Sequence, residues 1–182
     1  MTVSVVTTTD LHGHVEAAPF TLKDSAGVAQ KAERGGLPLI AGYVNNLRAR
    51  RPVVLVDAGD LFQGTLTSNL SEGQAVVDAY NAMGYAATAI GNHEFDYGPV
   101  GPGAVPRAGS NEDPRGALKA RIAAARFPFL SANIIATDTG KSPDWPNMAP
   151  SLLYPVPGAP GLTIGIIGAT TTATPRTTNS KN

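Results

Sequence analysis

The sequence predicts an α/β fold with a largely parallel central sheet. Strand-like and helix-like segments alternate along the first half of the chain, in the order strand, helix, strand, helix, strand. The strand-like segments are short, uninterrupted and rich in β-branched residues, which is typical of buried strands. Because a helix between two strands provides the long crossover that a parallel pair requires, we expect these strands to run parallel in one sheet.

The elements of the first half follow from apolar periodicity and from residues that start and stop helices. We predict a strand over 3–8, a loop up to the Gly35-Gly36 pair, a helix over 37–50, a strand over 53–56, a helix over 72–83 and a strand over 86–90. Ser71 is the expected N-cap of the second helix, and Gly84 is the expected residue at its C-terminal end.

The second half of the sequence is less regular. Residues 98–116 contain five Gly and four Pro, so they are predicted to form a loop or insertion, one that lines the site or is merely solvated. The later predicted elements are a helix over 117–126, a strand over 129–135, a Pro-rich loop over 141–161 and a strand over 162–168. We expect residues 1–175 to form one domain and residues 176–182 to be an unstructured tail.

Composition excludes several classes of function. The 14 basic and 14 acidic residues balance, which argues against sequence-independent binding to nucleic acid, since that requires excess positive charge. No apolar run reaches the ~20 residues of a membrane span. The absence of Cys rules out disulfides, thiolate metal ligands and a Cys nucleophile. The sequence shows no signal peptide, which leaves the compartment open.

Polar clusters follow three successive predicted strands. They are Asp10-Leu11-His12-Gly13-His14, Asp57-Ala58-Gly59-Asp60 and Gly91-Asn92-His93-Glu94-Phe95-Asp96. The carboxyl ends of parallel strands meet at one edge of the sheet, so these clusters are expected to lie together. Carboxylate, imidazole and amide groups are ligands for divalent cations. The sequence therefore predicts a metal site at this edge.

Spacing suggests roles within the clusters, each beside a simpler alternative. Asp10 and His12 face the same side of an extended segment and could share an ion. Gly59 could let the backbone approach an ion closely, and Asp60 could bridge two cations. Asp57 is instead expected to be a turn former or helix cap. His14 is expected near the surface or behind the ligands, and Glu94 could cap or solvate its loop.

Longer stretches of the sequence resemble a known family. Asp10-Leu11-His12-Gly13, Asp57 to Thr65 and Gly91 to Gly98 are similar to motifs of the calcineurin-like metallophosphoesterases, in the branch of 5′-nucleotidases, UDP-sugar hydrolases and cyclic phosphodiesterases. Residues 127–134 and 164–171 resemble later strands of that branch. The resemblance implies that this chain is the N-terminal part of an α/β/β/α sandwich.

The resemblance also implies roles for individual residues. It implies two divalent cations (Zn, Mn, Mg, Fe or Ca), held by Asp10, His12, Asp60 and Asn92, with Asp60 as the bridge. His93 would face the phosphate rather than bind metal, and Asp96 would orient it. The substrates would be nucleoside 5′-monophosphates or related phosphoesters, hydrolysed in a periplasmic or extracellular setting if a leader has been removed.

One departure from the family pattern bears on activity. The family completes its metal site with a further His and a later Gly-His-x-His/Gln motif, whereas the histidines here are His12, His14 and His93. We therefore expect the chain to be a fragment with little hydrolase activity by itself and with an uncovered apolar face. The alternatives are a non-catalytic metal-binding or structural remnant, or a hydrolase of cyclic nucleotides or thiosulfonate esters. The oligomeric state stays open.

Overall fold

The computed structural model describes residues 1–179. Its elements, in chain order, are β1 (Ser4–Thr8), β2 (Ala18–Lys23), β3 (Ala29–Arg34), α1 (Leu37–Arg48), β4 (Val53–Asp57), α2 (Leu66–Leu70), α3 (Gln74–Met83), β5 (Ala87–Ala89), α4 (Gly116–Ala124), β6 (Phe129–Leu130), β7 (Met148–Ala149), β8 (Ser151–Pro155), β9 (Thr163–Ile167) and α5 (Thr174–Thr177).

A parallel sheet of five strands organises the molecule. Its order is β1-β4-β5-β6-β7, and every neighbouring pair is parallel, which confirms the predicted parallel sheet. Strand β4 is buried on both faces as expected. Strand β1 is half-exposed instead of buried, because it lies at the edge of the sheet, where Val5 is 56% exposed.

The helices form one layer of the core, against one face of this sheet. Side chains of α1, α3 and α4 meet those of β4 and β6 in a single apolar cluster that includes Val44, Leu55, Val76, Val77, Tyr80, Leu118, Ile122 and Phe129. A smaller cluster on the opposite face joins Val54 to Val156 and Ala159 of the segment between β8 and β9. The layers are therefore helices, central sheet and a small second sheet.

The second predicted helix begins later than expected. Ser71 is not its N-cap but ends α2, and α3 starts after Gly73, whose φ is 83°. A Cβ on Gly73 would lie 2.5 Å from the ring of Phe62, so the left-handed turn between the two helices requires glycine. Gly84, with φ 70°, ends α3 as predicted.

A β-hairpin occupies the segment that was expected to be a loop before α1. Strands β2 and β3 pair antiparallel, and nearly all of their residues are exposed. The carboxylate of Asp24 closes the turn by accepting the backbone N–H groups of Ala26 and Val28, both at 2.9 Å. Because the hairpin buries almost nothing, its sequence lacks the alternation that predicts a strand.

The later strands also differ from the prediction. The strand expected over 129–135 shortens to β6, and β7 and β8 lie in the segment expected to be a loop. The strand predicted over 162–168 is present as β9, but it pairs antiparallel with β8 in a separate sheet. The fifth strand of the central sheet is β7 instead.

The end of the described chain is folded against the rest. Helix α5 includes residues 176 and 177, the first two of the expected unstructured tail. Residues 180–182 of that tail lie outside the described residues. Within residues 1–179, no helix is long and apolar enough to cross a bilayer, and the longest, α1, has 12 residues.

Candidate metal centre

The loops after β1, β4 and β5 meet at the carboxyl edge of the central sheet, as predicted. The first two run side by side, because the backbone N–H groups of Asp10 and His12 donate to the carbonyls of Gly59 and Asp60 at 3.1 and 3.0 Å. The third is joined to them through Asp60, whose Oδ1 accepts the backbone N–H of His93 at 2.9 Å. All three clusters therefore contribute to one site.

Three of the predicted ligands have left-handed backbone conformations. The φ angles of Asp10, His12 and Asp60 are 50°, 47° and 58°. Residues other than glycine adopt this region rarely, at a cost of order 1–3 kcal/mol each. Such strain concentrates at functional sites, where the surrounding structure holds it in place. Glu72 and Asn147 also have positive φ elsewhere in the chain, so this strain is shared by the candidate ligands but is not confined to them. The segment that carries Asp10 and His12 is not extended, so the expectation based on an extended segment was wrong.

His12 is oriented as a ligand. Its Nδ1 lies 2.8 Å from the carbonyl oxygen of Gln63, which can only accept, so Nδ1 carries the proton and donates it. Nε2 is thereby left with its lone pair, the tautomer typical of metal-binding imidazoles. Asp10 is close by, with Oδ1 4.0 Å from His12 Nε2. The sequence offered no signal for Gln63, because its backbone oxygen makes the contact.

His93 stands on the other side of the same space. Its Nδ1 is 2.6 Å from Asp96 Oδ2, so the predicted pairing of His93 with Asp96 is present in the structure. This hydrogen bond raises the pKa of His93 above its ordinary value. Partial burial lowers the pKa, but the charges of the neighbouring carboxylates raise it further. The rings of His12 and His93 meet edge to face at 5.0 Å.

A cluster of possible ligand atoms forms between these side chains. A ring nitrogen of His12, a carboxylate oxygen of Asp60 and a ring nitrogen of His93 all lie within 4.8 Å of one another. The structure therefore brings together His12 and Asp60, as predicted, and adds His93, which the resemblance assigned to the phosphate. Asn92 lies beside them, with its Nδ2 directed at the carbonyl of Thr177 at 3.4 Å.

Glu94 connects the loops from beneath. The side chain is not solvated, since it is 1% exposed, and it caps its own loop by accepting the backbone N–H of Gly91 at 2.7 Å. It also accepts the backbone N–H groups of Asp60 and Leu61 in the neighbouring loop, at 2.8 and 2.6 Å. Burial raises the pKa of Glu94 to about 7, although these donors favour its charged form. The sequence does not reveal this role, because two of the donors are backbone groups more than thirty residues away.

Gly59 serves packing between loops. A Cβ at this position would lie 2.7 Å from the backbone nitrogen of Gly91, and φ is 100°. The space that a Cβ would occupy is filled by the backbone of the next loop, so contact between loops requires glycine here, and close approach to an ion stays a prediction. Close contact between these two loops is what positions Asp60 next to His93.

Asp57 lies in the core and forms the turn contact that was expected of it. It is 5% exposed and accepts hydrogen bonds from Thr8 Oγ1 (2.5 Å), Tyr80 OH (2.8 Å) and Thr88 Oγ1 (3.1 Å). Its Oδ1 also accepts the N–H of Gly59 at 2.7 Å, which is a turn-forming contact. Burial raises the pKa of Asp57, although these donors lower it.

Two further features lie at the periphery of the site. His14 is exposed, as expected. The loop over 98–116 is mostly exposed, and it meets the end of the described chain where Asn179 Nδ2 donates to the carbonyl of Ala104 at 3.1 Å.

Comparison with known proteins supports the interpretation of this edge. Residues 3–142 match the family model of the calcineurin-like phosphoesterases. The chain belongs to this family. Its sequence is 35% identical over 179 residues to snake venom 5′-nucleotidase from Crotalus adamanteus, covering 97% of this chain and 27% of the relative. It is 31% identical to human 5′-nucleotidase, covering 97% of this chain and 28% of the human protein.

A solved structure shows the same fold. The crystal structure of a 5′-nucleotidase precursor from Thermus thermophilus matches with a TM-score of 0.70 and 33% identity, covering 93% of this chain and 29% of that one. The predicted family and fold class are thereby confirmed. The chain spans little more than a quarter of the length of the curated relatives it matches.

Proposed function

We propose that this chain contributes the first ligands of a two-metal site that hydrolyses phosphate esters, with nucleoside 5′-monophosphates or related nucleotides as substrates. The observation that carries the proposal is the convergence of His12 and Asp60 on one space, with His12 Nε2 left available by the bond from Nδ1 to Gln63. Relatives described as 5′-nucleotidases support the choice of substrate.

The donor set suits divalent cations. The cations would be held by carboxylate oxygens of Asp10 and Asp60, an imidazole nitrogen of His12 and the amide oxygen of Asn92. This combination of ligands accepts Zn, Mn, Mg, Fe or Ca. When bound, two such cations supply positive charge next to a phosphoryl group and lower the pKa of water. The hydrogen bond from Asn92 Nδ2 to the carbonyl of Thr177 engages the amide nitrogen, and the amide oxygen is the atom that would bind a cation.

In this proposal His93 acts on the substrate. Asp96 holds its Nδ1–H, so Nε2 is presented to the space shared with His12. The raised pKa of His93 favours the imidazolium, which donates from Nε2 to a phosphate oxygen or to the leaving alcohol oxygen. Asp96 keeps the ring oriented and stabilises its charge, as a carboxylate does in hydrolytic dyads.

Calorimetric titration with Mn²⁺ or Zn²⁺ tests the ligand assignment. Asp60→Asn is expected to lower metal affinity by more than about 100-fold, beyond the effect typical of residues that only orient ligands. Asp57→Asn is the matched control, because Asp57 lies in the same loop but its oxygens face the core. A larger loss of affinity in Asp57→Asn would reject the assignment.

Metal content separates the two roles open to His93. If His93 faces the substrate, His93→Asn is expected to leave metal affinity within about twofold of the unchanged chain, since less than about 0.5 kcal/mol is then lost. A loss comparable to that of Asp60→Asn would show that His93 is a ligand, as its distance from His12 and Asp60 allows.

Chromatographic detection of the products tests the substrate, because AMP gives adenosine and phosphate whereas a 2′,3′-cyclic nucleotide opens to a monophosphate ester and releases no phosphate. In the presence of Mn²⁺ or Zn²⁺, turnover of AMP is expected to exceed turnover of a 2′,3′-cyclic nucleotide, even at the low rate expected for this chain. The opposite preference would favour the cyclic-phosphodiesterase alternative. Metal binding with no turnover of any ester would favour the non-catalytic alternative.

A further inference from the structure

The segment after β9 is tied to the loop that carries the candidate site. Thr170, only 7% exposed, donates from Oγ1 to the carbonyl of Ile90 at 2.7 Å, immediately before that loop begins. Its backbone N–H donates to Asn133 Oδ1 at 2.8 Å, and its carbonyl accepts from Asn133 Nδ2 at 2.7 Å. The start of the segment is therefore fixed against the end of β5.

A short helical turn then carries the segment across the same loop. Thr174 Oγ1 donates to the carbonyl of Thr171 at 2.7 Å, and the N–H of Thr178 donates to the carbonyl of Thr174 at 3.2 Å. These local bonds set the direction of α5, so that its last residues lie beside Asn92 and Asp96. Two neighbouring residues at the end of the turn contact the site.

The contact with Asp96 involves the oxygen that His93 does not use. Thr178 Oγ1 donates to Asp96 Oδ1 at 2.7 Å, while Asp96 Oδ2 lies 2.6 Å from His93 Nδ1. The Asp96 side chain is only 20% exposed, so water has limited access to replace a lost donor. A hydroxyl on one oxygen restricts rotation of the carboxylate and keeps the other oxygen directed at the imidazole.

We propose that Thr178 is a positioning residue for the pair formed by His93 and Asp96. The inference rests on the proposed function, in which His93 acts on the phosphoester. Thr178 holds Asp96, Asp96 holds the His93 ring, and the ring presents Nε2 to the substrate. The carbonyl of Thr177 assists by orienting the amide of Asn92. The segment after β9 thus completes the geometry of the loop after β5.

Proton NMR of the full chain tests the inference without requiring turnover. The low-field resonance of His93 Nδ1–H, assigned by its loss in His93→Asn, reports the hydrogen bond to Asp96. In Thr178→Val its exchange with water is expected to rise about fivefold, the effect of losing a typical hydrogen bond. Thr178→Ser keeps the hydroxyl and is expected to restore the slow exchange. Thr172→Val, at an exposed position of the same segment, is the matched control.

The outcomes distinguish this inference from the proposed function. Unchanged exchange in Thr178→Val, or an equal rise in Thr172→Val, would overturn the positioning role. In Thr178→Val the midpoint of thermal unfolding is expected to fall by no more than a few degrees, the effect of one lost hydrogen bond. An equal rise in exchange at slowly exchanging backbone N–H protons would also overturn the positioning role, because it would indicate general unfolding. Failure of the unchanged chain to bind Mn²⁺ or Zn²⁺ would instead overturn the proposed function. The two failures are distinguishable, because the His93 resonance is measured without metal and does not depend on metal binding.

Discussion

The carboxyl edge of the central sheet and the outer face of the β8–β9 sheet differ in the contacts that their side chains make. Polar groups at the edge are hydrogen-bonded within the protein, whereas apolar side chains on the outer face are exposed to solvent. At the edge, the buried carboxylate of Glu94 accepts hydrogen bonds from the loop backbone, and three polar residues have strained, positive-φ backbone conformations. On the outer face, Leu153 and Ile167 are 75% and 76% exposed, and alternate residues along both strands are exposed.

The difference shows that the two regions are stabilised by different forces. The edge depends on specific hydrogen bonds, whose loss leaves buried donors unsatisfied. The β8–β9 sheet is stabilised by its inner face, where Tyr154 and Ile164 pack against the cluster around Val54. The outer face exposes two large apolar side chains, Leu153 and Ile167, among smaller or polar residues, and among residues 1–179 nothing covers either of them. Apolar surfaces of this kind favour association.

The largest expected effect is at the edge. Glu94→Ala leaves the buried N–H of Leu61 and the partly buried N–H groups of Asp60 and Gly91 without an acceptor, so the free energy of unfolding is expected to fall by about 3 kcal/mol. Urea denaturation measures the change. Glu112→Ala is the matched control, because Glu112 also accepts from Arg107 and Ser110 but in an exposed loop. Equal losses in both variants would contradict the role assigned to Glu94.

A smaller effect is expected on the outer face. The chain is expected to elute above its monomer mass in size-exclusion chromatography, and Leu153→Lys is expected to shift it towards the monomer, because charge disfavours burial of this face. Leu39→Lys, at a 63% exposed position on α1, serves as the control. A clean monomer before any substitution would contradict the expectation.

The smallest expected effect concerns Asp57, beneath the edge. Burial raises the pKa of Asp57 above its ordinary value of 3.8, so the folded state retains a proton that the unfolded state has lost. The contribution of this group is therefore greatest below the ordinary pKa and is lost as pH rises through the raised one.

Denaturation at several pH values measures this effect against a variant that cannot titrate. As pH rises above the ordinary pKa of 3.8, stability of the unchanged chain is expected to fall relative to Asp57→Asn until the raised pKa of the folded state is passed. A relative gain over the same range would show that the four hydrogen bonds to Asp57 outweigh its burial and lower its pKa.

Elements with strong local signals were predicted well. The parallel strands β4 and β5 and the helices α1, α3 and α4 follow from apolar periodicity and from Gly84, although α3 begins later than expected. The β2–β3 hairpin was missed because it is nearly all exposed, and β7 and β8 were missed because the surrounding prolines predict a loop. The pairing of β9 with β8 is a tertiary choice that its apolar sequence does not specify.

The identity of the residues at the candidate site could be read from the sequence alone. Asp10, His12, Asp60, Asn92, His93 and Asp96 follow successive strands, and parallel strands bring such positions to one edge for topological reasons. How these residues are held emerges only in the folded molecule. The acceptor for His12 Nδ1, the three donors to Glu94 and the hydroxyl that contacts Asp96 come from backbone groups or distant positions. The sequence does not identify these partners, because every residue has a backbone carbonyl and every residue except Pro has a backbone N–H. Only the tertiary structure determines which of these groups lies next to a given side chain.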